Sequence, residues 1–212
     1  MIIISLLKKK LLNSMEIKLF NRWSTEGVVV SDSGLRGYIT LDPLFVPKTG
    51  GRNVKIRFHK SKNNIVERLI NKLMVPGHKG KKHRLTSGHN SGKGHLAYKI
   101  VERAFEILEK QTGKNPVGVF VVALENAAPR EEIITIEYGG ARYPQAVDVS
   151  PQRRVDMALR QFVQGTYSKS FHGKKKAEEY LADEILNAYN SDQKSVAIAK
   201  KLELERQADS SR

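Results

Sequence analysis

Cysteine is absent from the chain, which removes disulfides, thiolate metal sites and a cysteine nucleophile together and suits a reducing compartment. Long apolar runs are missing too. Beyond the N-terminus the longest is Val119 to Leu124, far short of the ~20 residues that span a bilayer. The opening MIIISLLKKKLLNS puts its apolar run before its lysines, the reverse of a secretory signal. Residues 1–15 therefore read as a disordered tail, or as a start assigned too early with Met15 as the true beginning. Acidic side chains are scarce in one quarter of the chain: residues 48–103 hold fifteen Lys and Arg against Glu67 and Glu102. Thirteen of the fifteen surplus positive charges lie there, and the remainder is nearly neutral. A surplus held so locally against its own repulsion points to a polyanion, with nucleic acid ahead of an anionic membrane surface.

What is present supports a folded body. The 212 residues are 40% hydrophobic, enough for a real core. Residues 16–63 are rich in glycine and proline with short apolar runs, and read as an extended basic arm with a small strand or two. From Asn64 the period becomes helical: Ile65, Leu69, Ile70, Leu73 and Met74 recur until Pro76 and Gly77 stop it. Residues 76–95 contain five glycines, five cations and no acid, a mobile basic loop. Leu96, Ile100, Val101, Ala104, Phe105 and Leu108 form the stripe of a second helix that Thr112 and Gly113 end. VGVFVVALENAA, from Val117, fits a strand by composition and a helix by spacing. After Pro129, EEIITIEY and ARYPQAVDV flank Gly139 and Gly140 as a hairpin, with Pro144 confined to an edge strand. Ser150 and Pro151 read as N-cap and first residue of a helix whose buried face runs to Gly165. Two further helices occupy 174–189 and about 194–207.

Strings that imitate enzyme chemistry fail in detail. GHNSGKG at residues 88–94 has one residue too few between its first glycines for a phosphate-binding loop, and glycine instead of Ser or Thr after Lys93. His78, His83, His89 and His95 stand among cations that repel a metal, without a carboxylate to orient them. Glu125, Glu131, Glu132 and Glu137 decorate a helix end and a hairpin without a nucleophile beside them. No metal, cofactor, membrane or small-molecule substrate is expected. For nucleic acid the chemistry is better supplied, because Arg52, Lys55, Arg57, Lys60 and Lys62 can neutralise phosphates. Trp23, Phe58, Tyr138 and Tyr143 are candidate stacking surfaces, with core packing the competing reading for the first two.

The run GGARYPQAVDVSPQRR, from Gly139 to Arg154, resembles the small-ribosomal-subunit protein seven family. KLFNRWS at 18–24, IVERLINKLM at 65–74, NP at 115–116, ALENAAPREE at 123–132, LADEI at 181–185 and the ending AIAKKLELERQADSSR are similar to its archaeal and eukaryotic branch. The likeness runs in order over residues 16–212. It implies a mainly α (α+β) single domain of about six helices, with a protruding β-hairpin between helices three and four and the ambiguous segment as helix three. The 16–63 arm would precede a helical RNA-binding domain over 64–212, with the hairpin at 130–149.

The family's function would follow: a non-enzymatic constituent of the cytoplasmic small subunit that binds the three-prime major domain of small-subunit ribosomal RNA and organises head assembly. It would lie near messenger RNA and exit-site transfer RNA and touch small-subunit protein eleven. Carried onto this chain, the expected RNA contacts are the arm cations Arg52, Lys55, Arg57, Lys60 and Lys62, with Arg142, Tyr143, Arg153 and Arg154. Lys79, Lys81, Lys82, Arg84 and Lys93 join them on charge alone. The hairpin carries a net charge of minus two over 130–149, so its contact is expected only at the tip. A free-standing DNA- or RNA-binding regulator is the alternative.

Overall fold

A computed structural model describes residues 17–51, 55–75 and 90–212. Among them the elements run α1 (Ile65–Leu73), α2 (Gly94–Thr112), α3 (Pro116–Ala127), β1 (Glu131–Tyr138), β2 (Ala141–Asp148), α4 (Pro151–Ser170), α5 (Ala177–Tyr189) and α6 (Val196–Asp209), with a 3-10 turn at His59–Lys62. Six helices carry one hairpin between the third and fourth.

Side-chain caps start two helices. The Asn64 side chain accepts from the Val66 N–H at 2.9 Å, and Asn115 does the same for Val117 at 3.0 Å with Pro116 in the first turn, each meeting a donor that the helix itself leaves unpaired. Gly113, at φ 63°, closes α2 through its N–H to the Glu109 carbonyl at 2.8 Å. Leu96, expected on the buried stripe of α2, is instead exposed near the helix start.

The segment with two readings is α3, and its surroundings explain the ambiguity. Val117, Val119, Phe120, Val121, Ala123, Leu124 and Ala127 are all buried, because α3 lies inside the bundle. Its half-buried face carries Gly118 and Val122 beside Glu125 and Asn126, so little polarity marks the helical period. Phe120 touches Phe105 of α2 and Phe162 of α4, with ring centroids 5.8 and 6.4 Å apart.

The N-terminal stretch builds no named strand among the described residues, only isolated bridges between Leu19 and Trp23 and between Thr40 and Asn64. It nevertheless supplies core. Leu19, Phe20, Trp23, Val30, Leu35 and Ile39 are buried against the helices, and Trp23 meets Phe105 at 5.8 Å. Of the aromatics with two readings, Trp23 is a core residue while Phe58 is 67% exposed.

Gly165 does not end its helix. α4 continues to Ser170, and the missing side chain serves packing: a Cβ there would meet the Glu184 carboxyl at 3.0 Å and Val196 Cβ at 3.2 Å. Glu184, fully buried, accepts from the Ser195 hydroxyl at 2.9 Å, from the N–H groups of Val196 and Ala197, and from Lys169 Nζ at 2.6 Å. One carboxylate thus caps α6 and ties it to α4 and α5.

In the hairpin, Glu131 faces Asp148 and Tyr138 faces Ala141. Gly139 and Gly140 sit at φ 58° and 83°, the two positive values that a two-residue turn matching strand twist requires. Residues 134–145 are all exposed, so the arm projects from the body. Its base is held on α6 by the Arg130 N–H to Glu205 Oε1 at 3.1 Å, and just past that helix by an ion pair of Arg212 with Glu131.

Candidate nucleic-acid interface

The 55–62 stretch runs beside α1 and the beginning of α4, and tertiary contacts join cations distant in sequence. Asp156 on α4 accepts from the buried Arg68 of α1 at 3.0 Å and pairs with Lys60. Arg68 also donates to the Tyr38 carbonyl at 2.9 Å. Lys72 of α1 lines the same groove, about 370 Å³ in volume, with Lys60, Arg68 and Asp156. Burial, then the nearby Arg160 and Lys60 cations, push the Lys72 ammonium below its ordinary value, with Asp156 opposing. Lys60 and Arg68 pair with Asp156 there, while Lys72 and Arg160 add further positive charge. An anion entering the groove relieves that imbalance.

Lys55, Arg57 and Lys62 are exposed. The Arg57 guanidinium lies 5.3 Å from the centre of the Phe58 ring, and Arg57 and Lys62 border a second groove with Ser150, Pro151 and Gln152. Arg52, Lys79, Lys81, Lys82 and Arg84 fall outside the described residues. Lys93 is exposed at the N-cap of α2. Arg142 and Tyr143 are exposed on the hairpin, where Arg142 stands 3.7 Å from Glu137.

The two adjacent arginines of α4 separate. Arg153 is exposed and makes a two-pronged pair with Glu132, both contacts at 2.7 Å; that hydrogen bonding holds its guanidinium above the ordinary value. Arg154 is buried, donating to the Pro129 carbonyl at 3.1 Å and to Asp32 at 2.7 Å. Arg154 is therefore a clamp between the N-terminal stretch, the hairpin base and α4.

The acids read as decoration have structural partners. Glu125 accepts from the Asp32 N–H at 3.1 Å, while Glu131, Glu132 and Glu137 pair with Arg212, Arg153 and Arg142. Sequence reasoning missed Arg68, Lys72 and Arg160. A signal existed for all three, since Arg153, Asp156 and Arg160 share a helical face and Arg68 and Lys72 lie four residues apart.

The family model for ribosomal protein S7p/S5e matches residues 48–212. The chain is 58% identical over 202 residues to the small ribosomal subunit protein uS7 of Nanoarchaeum equitans (strain Kin4-M), covering 93% of this chain and all of that protein. The chain belongs to the S7p/S5e family. It is also 51% identical over 199 residues to uS7 of Methanococcus aeolicus (strain ATCC BAA-1280 / DSM 17508 / OCM 812 / Nankai-3), with coverage of 93% and 100%. Membership gives this S7p/S5e protein a structural, non-enzymatic role in the small ribosomal subunit, with ribosomal RNA and ribosomal proteins as partners. Among the described residues no helix is long and apolar enough to cross a membrane.

Proposed function

We propose that the protein binds the three-prime major domain of small-subunit ribosomal RNA through the face formed by residues 55–62, α1 and the start of α4, and thereby organises the head of the subunit in the cytoplasm. The carrying observation is the cation cluster Lys60, Arg68, Lys72 and Arg160, of which Lys60 and Arg68 pair with Asp156. Arg57, Lys62 and Arg153 extend that face, and Arg52 with the loop cations Lys79, Lys81, Lys82, Arg84 and Lys93 would add phosphate contacts. Arg154 supports the reading as a positioning residue. The hairpin tip, with Arg142 and Tyr143, reaches toward messenger RNA or exit-site transfer RNA and toward small-subunit protein eleven.

Neutralising about six to ten phosphates makes affinity fall roughly 10³- to 10⁵-fold between about 50 and 200 mM salt. Binding of a head-domain ribosomal RNA fragment should show that fall and should survive competition by duplex DNA. A flat salt response would sink the electrostatic mechanism. Equal competition by duplex DNA would favour a general nucleic-acid binder.

A further inference from the structure

The groove between residues 56–62 and the start of α4 has a volume of about 590 Å³, within the roughly 300–1,000 Å³ of sites that enclose small ligands. Arg57, Phe58, His59, Lys62 and Gln152 line it. Gln152 is only 8% exposed, yet neither its amide nitrogen nor its amide oxygen has a hydrogen-bond partner among the described residues. His59 Nδ1, on the 3-10 turn that lines the same groove, is likewise buried and without a partner among the described residues. Leaving a buried amide unpaired is costly, and native structures rarely do so without a reason.

Two neighbouring features indicate what completes it. Phe58 holds a left-handed backbone, φ 61° and ψ 3°, unusual for a bulky residue, and keeps its ring outward with the Arg57 guanidinium over it. Pro151 has no N–H to offer, and Ser150 makes no side-chain capping bond, so the first-turn N–H groups of Gln152 and Arg153 are left uncapped by it. Aromatic and guanidinium planes take unstacked bases, an amide offers donor and acceptor together to a base edge, and a helix start beside a lysine suits phosphate.

We propose that this groove is a subsite for one unstacked nucleotide of single-stranded RNA, with its base on Phe58, its edge on the Gln152 amide and its phosphate between Lys62 and the start of α4. The subsite rests on the RNA-binding reading above and adds a base contact to it. The bound base engages the Gln152 amide, which has no partner among the described residues.

The test uses the full chain and a head-domain ribosomal RNA fragment, with binding titrated against salt and ultraviolet crosslinks mapped. Phe58→Leu and Gln152→Met should each weaken binding by roughly 5- to 150-fold, the range measured for loss of one base contact, with the salt slope unchanged. A crosslink at Phe58 should disappear in the first variant. Gln152→Met should also raise the melting temperature without RNA, so a folding failure cannot mimic the result. Wild-type affinity in both variants, while Arg160→Gln still weakens binding, overturns the subsite and leaves the RNA reading standing. A wild-type chain that does not bind the fragment removes both.

Discussion

Arg154 is nine-tenths buried and joins α4 to the hairpin base at Pro129 and to Asp32 of the N-terminal stretch. Burial alone would push the Asp32 carboxyl up, but the hydrogen bonds from Arg154 and the Gly34 N–H, with the charges of Arg154 and Arg130, hold it below its ordinary value. A carboxyl lowered in the folded state adds stability above its unfolded value of about 3.9, and that contribution is lost as pH falls through the lower folded value. The stability gap between wild type and Asp32→Asn should therefore be full near neutral pH and shrink below about pH 4 in urea titrations. Arg154→Ala leaves Asp32 without its partner and should cost about 2–4 kcal/mol. Arg153→Gln breaks an exposed pair, so its cost should stay under about 1 kcal/mol while RNA affinity falls. Equal stability losses in the two variants would contradict this separation.

At the scale of elements, α4, α5 and α6 meet where Gly165 leaves room for Glu184. Gly165→Ala brings a methyl within 3.0 Å of the Glu184 carboxyl and 3.2 Å of Val196, contacts that must be relieved by shifting the cap of α6. The expected loss is about 1–3 kcal/mol by thermal unfolding, although alanine ordinarily favours a helix over glycine. An unchanged or higher melting temperature would show that this junction has slack. The hairpin was legible in sequence because its signal is local, a glycine pair at a turn; the Ser150 cap was not, because Ser150 starts α4 without a side-chain capping bond. α3 was not, because even its half-buried face is partly apolar, with Gly118 and Val122 on it. Gly165 misled for a related reason, since a glycine that stops a helix and one that admits a neighbour are identical until the neighbour is known.

Over the whole molecule, the family model matches from residue 48, but the core begins earlier. Leu19, Phe20, Trp23, Leu35 and Ile39 are all buried, and at roughly 1.5–3 kcal/mol for each side chain their burial contributes on the order of 10 kcal/mol. That rivals the total net stability of about 5–15 kcal/mol for an ordinary domain. A chain starting at residue 48 should therefore lose cooperative unfolding and bind hydrophobic dyes. A sharp transition in such a truncation would refute the structural role of this stretch.

The sequence by itself determined the charge surplus of residues 48–103, the helical and hairpin segments with local signals, and the family, because each is written in composition or short-range order. Tertiary structure alone decided that the N-terminal stretch completes the core, that Arg154 is buried while Arg153 is not, and that Lys60, Arg68, Lys72 and Arg160 gather around Asp156. The physical reason is range. Arg154 and Asp32 lie 122 residues apart and Arg68 and Asp156 lie 88 apart, so only packing decides which cations are spent on the fold and which stay available to an anion.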